Sequence, residues 1–229
     1  MTKIAVFAIE RSGHNAIQTW LLLKFGKAKP RKSTHDFTVD NVCFRCNVQS
    51  DGESYQPGSG FGDEDKCDFV LYEMKHPNLS EGLGWLPDDF VPVVVVRDPW
   101  NLIASRRRNG AGWDFDWSDW IDHAEYLLPA SRPKHPSVVP INFNRWSCDK
   151  WYRFALSKRL GVPLEDDGSR IATAPDGFED CVERGSANGH YLNVLDRWQH
   201  YRDDQGYLKQ LSQPACELAE TIWGWNPLG

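Results

Sequence analysis

Four short apolar runs are spaced along the chain, and polar segments separate them. The runs lie at residues 4–9, 68–75, 93–96 and 137–142. The apolar residues of the first three are continuous or nearly so, which is typical of strands buried on both faces in a parallel sheet, and the fourth, SVVPIN, predicts a further strand. Since helical periodicity follows several runs, the pattern predicts an α/β fold with three layers, α/β/α, around a central parallel sheet. Pro140 in the last run has no backbone donor, so no neighbouring strand is expected to need one there.

Further segments repeat apolar residues at helical spacing. A core helix is predicted over residues 117–128, and another over 148–160, closed by Gly161. Two more helices are expected near the C-terminus. They span about 191–202 and 214–224.

A polar loop follows the first apolar run directly, with the sequence ERSGHN at residues 10–15. From Ile17 onwards apolar residues recur at three- and four-residue steps, so a helix is predicted to begin near Asn15, a good N-cap residue. The first amides of a helix have no partner within it and lie at the positive end of its dipole. The segment is therefore a candidate anion site. An ordinary strand-to-helix turn is the structural alternative.

A second motif, Arg97-Asp98-Pro99, ends the run at 93–96 and opens another predicted helix. Asp98 suits the cap of that helix, and Pro99 suits its first turn. Arg97 at a strand end offers a planar fork to a phosphate dianion, and Ser105, two turns along the helix, can add a hydroxyl donor. Taken singly, each residue would be interpreted as structural, Arg97 in a surface salt bridge and Ser105 on a solvated helix face.

Together the two motifs resemble those of sulfotransferases that use 3′-phosphoadenosine 5′-phosphosulfate (PAPS). In that family a Lys or Arg precedes Ser-Gly after the first strand, and a later strand ends in Arg-Asp-Pro with a Ser eight residues after the Arg. The resemblance extends to about Leu164 and implies a P-loop NTPase-like sulfotransferase fold. It implies that the 5′-phosphosulfate is held by Arg11, Ser12, Gly13, His14, Asn15 and Ala16. It also implies that the 3′-phosphate is bound by Arg97 and Ser105 and covered by Arg184 and Gly185.

The catalytic base is expected after the second apolar run. Many sulfotransferases place a His or Glu there, often as Lys, one residue and then His, whereas Lys75 and His76 are adjacent here. His76 is the preferred base because the unperturbed pKa of histidine, about 6.5, suits proton removal near neutral pH. Glu73 and His14 remain alternatives. Arg11 is expected to act in catalysis too, by stabilising charge on the leaving phosphate oxygen.

The resemblance implies sulfuryl transfer from PAPS to a hydroxyl or amine, with release of 3′-phosphoadenosine 5′-phosphate (PAP). Two other function classes stay open. A kinase of the same broad architecture is disfavoured because G-x-x-x-x-G-K-[ST], with its magnesium-binding hydroxyl, is absent. A nucleotide-binding protein without catalysis is the second alternative, since the base is not identified.

Length and charge limit the remaining possibilities. The 229 residues are expected to form a single sulfotransferase-like domain over residues 1–229. A net charge of −6 disfavours a nucleic-acid partner, so an anionic cofactor needs a local positive patch, for which Arg11, Arg97 and residues 106–108 are candidates. No apolar run has the length of a signal-peptide core or a membrane span, so a cytoplasmic protein without membrane insertion is expected.

The acceptor is expected to be a small molecule or a glycan. Eleven tryptophans and a polar loop at residues 50–65 favour a carbohydrate or another hydroxylated metabolite. The six cysteines should be reduced thiols. Cys43, Cys46 and Cys67, with His35, are the one arrangement that could hold zinc, but alternation around Cys43 and Cys46 favours an ordinary strand.

Overall fold

A six-stranded sheet forms the centre of the computed structural model, with the strand order β2-β3-β4-β1-β5-β6. The structure describes residues 1–25, 37–39, 41–48, 66–74, 79–108, 115–129, 137–164 and 194–228. The strands are β1 (Thr2–Ala8), β2 (Phe37–Val39), β3 (Val42–Val48), β4 (Phe69–Met74), β5 (Val91–Val96) and β6 (Val139–Asn142).

Five of the six strands are parallel, and β1 lies in their middle, between β4 and β5. Among the described strands only β2 runs antiparallel, against β3. The four predicted strands are confirmed, because β1, β4, β5 and β6 each contain one of the apolar runs. Within the described sheet β6 is the edge strand, so no described strand pairs with Pro140 on its outer side, as expected from its missing N–H.

Helices cover both faces of the sheet. They are α1 (His14–Leu23), α2 (Leu79–Trp85), α3 (Pro99–Arg108), α4 (Trp117–Ala124), α5 (Phe143–Cys148), α6 (Lys150–Leu160), α7 (Gln205–Leu208) and α8 (Gln213–Trp223). Alternate residues of β1 point to opposite faces, so Val6 packs in one core and Phe7 in the other. The helices α1, α5 and α6 bury side chains in the first core, and α2, α3, α4 and α8 do so in the second. The α/β architecture with a central parallel sheet is therefore confirmed.

Helix ends agree with the capping signals at some positions and differ at others. Asp98 caps α3 by accepting the Asn101 amide at 2.8 Å, and Gly161 ends α6 in a left-handed conformation at φ 65°. The prediction of Asn15 as the cap of α1 is wrong, because Gly13 is the N-cap and the helix begins at His14. The helix predicted from residue 148 instead begins at Lys150, since the Asp149 side chain accepts two amides of the next turn and starts a new helix.

The prediction of a helix over residues 191–202 is wrong in its described part, which contains only a 3₁₀ turn at Arg197–His200. In an α-helix the carbonyl of Val194 would accept from the amide of Trp198. Here Arg97 donates to the Val194 carbonyl and the Asn101 side-chain oxygen accepts from the Trp198 amide. Side chains from another part of the chain have thus taken the groups that would bond within the helix. The helices α4 and α8 confirm the other two predictions, with 3₁₀ residues Glu125–Leu127 completing the first.

The cysteine segment is a strand, as its alternation indicates. Cys43 lies in β3, and its side chain and that of Cys67 are buried. His35 and the Cys46 side chain lie outside the described part of the structure. Among the residues that are described, no group of three His, Cys, Asp or Glu side chains is arranged to hold a metal ion.

Helix length is relevant to the expectation that the protein does not insert into a membrane. Within the described ranges, every helix is too short or too polar to cross a bilayer.

One buried histidine gives the fold a sensitivity to acid. His123 in α4 is almost fully buried, and its Nδ1–H donates to the Asp119 carbonyl at 2.7 Å. Burial lowers the pKa of His123, although the bond to Asp119 and the nearby charge of Asp122 oppose that shift. The unfolded chain therefore takes up a proton at higher pH than the folded protein, and stability falls as the pH drops below about 6.5.

We expect His123→Leu to remove this component of the pH dependence. The free energy of unfolding, measured by urea titration at pH 7.5 and 5.5, should fall less in the variant, by at most about 1.4 kcal/mol per pH unit. His200→Gln changes an exposed histidine of the 3₁₀ turn and should keep the wild-type difference. An identical pH dependence in His123→Leu and wild type would contradict this assignment.

Candidate functional site

The carboxyl ends of β4, β1 and β5 lie side by side, and each leads into a segment with polar side chains. The helix after β1 packs on one face of the sheet, whereas the helix after β5 packs on the other. Neighbouring parallel strands whose connections leave in opposite directions open a crevice at their carboxyl ends, where α/β proteins bind ligands. The two sequence motifs therefore meet at the expected edge of the sheet.

The loop after β1 is held in a tight conformation. The Ser12 amide donates to the Ile9 carbonyl at 3.0 Å, and Arg11 has a positive φ of 74°. Gly13 has a φ of 97°, and a Cβ placed there would lie 2.3 Å from Cε2 of the Phe143 ring. A side chain at Gly13 would thus meet both backbone strain and a steric clash. Glycine is needed for the loop to pack against α5.

The amino terminus of α1 has the properties of an anion site. Among the described residues, no side chain caps this helix, and its first turn holds no acidic residue. Ser12 is 2% exposed, and its Oγ has no hydrogen-bond partner in the described part of the chain. Buried hydroxyls are normally hydrogen-bonded. An anion at the helix terminus would supply the acceptor for this hydroxyl and would be stabilised by the helix dipole.

Not every predicted loop residue contributes in the same way. His14 is the first residue of α1 and Asn15 the second. The amide of Ala16 donates to the Gly13 carbonyl at 3.0 Å, so this amide already serves the helix. The groups best placed for an anion are therefore at the start of the loop, around Ser12.

His14 and Glu73 form a mostly buried pair between α1 and β4. Nε2 of His14 lies 3.3 Å from Oε1 of Glu73, and the two side chains are 16% and 11% exposed. Since a carboxylate only accepts, the pair favours the tautomer with hydrogen on Nε2, leaving a lone pair on Nδ1. That Nδ1 is buried and has no hydrogen-bond partner among the described residues. A carboxylate that orients an imidazole in this way is the arrangement of a general base.

Arginines surround the loop on the β5 side. Arg97 is 3% exposed, and its guanidinium donates to the carbonyls of Arg11, at 3.3 Å, and Val194. Arg11 and Arg106 share one carboxylate, that of Glu10, at 3.6 and 3.3 Å. Three guanidinium groups therefore lie near the loop. Two of them, those of Arg11 and Arg106, contact the same carboxylate, that of Glu10. This is the local positive patch that an acidic protein needs to bind an anionic ligand.

Ser105 lies in α3, where the sequence motif predicts it, and is buried. Its Oγ accepts a hydrogen bond from Nη1 of Arg197 at 3.0 Å. The two residues assigned to the 3′-phosphate, Arg97 and Ser105, thus both contact the segment at residues 194–198.

Sequence reasoning missed a buried polar network beneath the site. Asp98 is fully buried, accepts from the side-chain amides of Asn101 and Asn144 at 3.0 and 2.8 Å, and donates its own amide to Asn144. Burial raises the pKa of Asp98, and the Arg97 charge and these amide bonds act against that rise. The network ties the start of α3 to α5. The bonds between Asp98 and Asn101 could have been recognised in the sequence, because an Asn lies three residues after a capping Asp. The sequence carries no sign of the bonds between Asp98 and Asn144.

Several predicted site residues lie outside the described part of the structure. They are His76, Arg184, Gly185 and the loop at residues 50–65.

The comparisons with known proteins identify no family for this chain. No family model matches it, and no curated protein is similar to it.

Proposed function

We propose that this protein transfers a sulfuryl group from PAPS to a hydroxyl or amine, on a P-loop-like sulfotransferase fold. One observation supports the proposal most directly. The Ser12 loop and Arg97 lie at the ends of adjacent parallel strands, and the Arg97 guanidinium donates to the carbonyl of Arg11 in that loop. Two anion-binding elements side by side fit a nucleotide that carries anionic groups at two positions.

The residues divide between the two anionic groups. The buried hydroxyl of Ser12 and the uncapped start of α1 would hold the 5′-phosphosulfate. Arg97 and Ser105 would hold the 3′-phosphate. A guanidinium has five N–H donors, so Arg97 would contact phosphate oxygens while it still donates to the carbonyls of Arg11 and Val194.

The chemical step is an in-line displacement at sulfur. The acceptor oxygen forms a bond to sulfur as the bond between sulfur and the bridging phosphate oxygen breaks, and the electron pair leaves with PAP. Arg11 would stabilise the charge that grows on that phosphate oxygen. The acceptor's proton passes to the general base. Within the described residues the geometry favours His14, held by Glu73, over a carboxylate acting alone, and His76 stays the alternative.

The proposed acceptor is a carbohydrate or another hydroxylated small molecule. Tryptophans close to the site give this little further support, because Trp100 and Trp120 are buried in the core and Trp117 packs against it. An acceptor panel containing sugars, hydroxylated metabolites, phenols and amines, assayed with PAPS, would identify the class. Turnover only with hydrophobic phenols would contradict the proposed class and leave the reaction type intact.

A thermal-shift experiment separates the proposed function from its rivals. A ligand that binds only the native state raises the apparent melting temperature with its concentration. We expect PAP to raise it and ATP or GTP with magnesium to have a smaller effect. Stabilisation by ATP with magnesium alone would favour a kinase. Binding of PAP without transfer to any acceptor would favour a nucleotide-binding protein that lacks catalysis.

Arg97→Ala should weaken PAP binding by about 1.5 to 3 kcal/mol, the usual scale for a charge-assisted hydrogen bond to phosphate. It should also lower stability by about 1 to 3 kcal/mol, because two carbonyls lose a buried donor. Isothermal titration calorimetry and urea unfolding measure the two effects separately.

Arg153→Ala is a matched control. Arg153 is also buried and donates to a carbonyl, that of Trp146 at 2.7 Å, but it lies in α6. This variant should lose stability and keep its affinity for PAP. Unchanged PAP affinity in folded Arg97→Ala would mean that the second motif does not bind the nucleotide.

A further inference from the structure

Residues 194–198 cross the site and are fixed by the side chains of Arg97, directly after β5, and Asn101 in α3. Besides the Arg97 contact with Val194, Asn101 donates its side-chain amide to the Leu195 carbonyl at 2.8 Å. The Asn101 side-chain oxygen also accepts from the Trp198 amide at 3.4 Å. Asn101 is itself fully buried and held by Asp98. The path of the segment is therefore set by Arg97 and Asn101 and not by a helix of its own.

This path places one cation at the predicted phosphate site. Arg197 is the residue of the segment whose guanidinium reaches Ser105 Oγ, at 3.0 Å. Its side chain is half-buried, and Arg97 lies under the other end of the same five residues. The segment thus contacts both residues of the motif, Arg97 through the Val194 carbonyl and Ser105 through the Arg197 guanidinium.

We propose that Arg197 is a further phosphate-binding residue, delivered to Ser105 by the segment at residues 194–198. The proposal rests on the proposed function and names the residue that selects 3′-phosphorylated nucleotides at the same site. A phosphate dianion offers three oxygens and is bound best by more than one cation. A hydroxyl can accept one hydrogen bond and donate another, so Ser105 can hold the Arg197 guanidinium and contact a phosphate oxygen together.

The role assigned to Arg197 differs from that of a surface arginine. Arg202, five residues further on, is 66% exposed and pairs with its neighbour Asp203 at 3.3 Å. It has the same charge and lies close in sequence, but within the described part of the chain it makes no hydrogen bond or ion pair with α3 or β5. Long-range attraction alone would affect both arginines similarly, whereas direct binding requires Arg197.

The test compares PAP with adenosine 5′-monophosphate (AMP), which lacks the 3′-phosphate. Dissociation constants are measured by calorimetry for wild type, Arg197→Ala, Arg197→Gln and Arg202→Ala in the full-length chain. We expect each Arg197 variant to bind PAP about ten- to hundredfold more weakly and to bind AMP as wild type does. Arg202→Ala should bind both ligands as wild type does. The glutamine variant keeps the length and polarity of the side chain, so it supplies a folded protein if the alanine variant is unstable.

A double-mutant cycle then tests the contact itself. Since Ser105 and Arg197 are proposed to hold one phosphate together, the effects of Ser105→Ala and Arg197→Ala on PAP affinity should not add.

The possible failures are distinguishable. If wild type binds PAP but the Arg197 variants bind it equally well, the Arg197 proposal is overturned and the proposed function stands. Equal losses of affinity for PAP and AMP in the Arg197 variants would also overturn it, because Arg197 would then not contact the 3′-phosphate. A wild-type protein that does not bind PAP overturns both proposals.

Discussion

Gly13→Ala should destabilise the protein by about 2 to 5 kcal/mol. About 1 to 2 kcal/mol comes from placing a Cβ on a residue with a φ of 97°. A further 1 to 3 kcal/mol, roughly, is expected from overpacking, because the new Cβ would lie 2.3 Å from the Phe143 ring. Urea unfolding measures the total, and PAP affinity should fall as well because the Ser12 loop must shift to relieve the clash.

Gly161 provides a control in which a new Cβ meets only the cost of a positive φ and no steric clash. It has a φ of 65°, and a Cβ there would meet no atom within 4 Å. Gly161→Ala should therefore cost only about 1 to 2 kcal/mol. The difference between the two variants measures the steric cost imposed by Phe143. In a Phe143→Leu background the penalty for Gly13→Ala should shrink toward that of Gly161→Ala. Equal penalties for the two glycines in the wild-type background would show that the packing of Phe143 does not restrict the loop.

The same glycine shows which parts of the fold could be predicted from the sequence. Strands buried on both faces leave nearly continuous apolar runs, so β1, β4 and β5 could be recognised locally. The edge strand β6 alternates buried and half-buried residues, and its short apolar segment was still a local signal. The Asp98 cap and the Gly161 terminus were equally local, since both act within one turn of their own helix. The cap of α1 was not, because Gly13 is required by the ring of Phe143, which is 130 positions away in the chain. A reader of the sequence sees only that Asn15 is a better cap than glycine.

In the candidate site, too, features local in the sequence could be predicted, whereas features that depend on distant residues could not. The two motifs could be placed at strand ends because each is contiguous with its strand. The segment at residues 194–198 could not be placed, since its backbone bonds are made by Arg97 and Asn101 and not by its own helix. Its apolar spacing still resembled a helix. The contact between Arg197 and Ser105 follows from that displaced path, so no local pattern could have indicated it.

His14→Ala should lower turnover by about a hundredfold to ten-thousandfold while PAP remains bound. The expectation rests on the buried pair with Glu73, which leaves Nδ1 of His14 as the proton-accepting atom. Loss of a general base slows the chemical step and leaves the proposed phosphate-binding groups of Ser12 and Arg97 in place. Single-turnover rates at saturating PAPS measure that step directly.

Two further variants separate the possible bases. Glu73→Gln keeps the shape of the carboxylate but removes its charge, so it should slow turnover less than His14→Ala if Glu73 only orients the ring. If Glu73→Gln turns over more slowly than His14→Ala, the Glu73 carboxylate is the base. His76→Ala should retain most activity on this assignment. If activity instead survives in His14→Ala and is lost in His76→Ala, the proton passes to His76, and the pair of His14 and Glu73 serves to hold the start of α1 against β4.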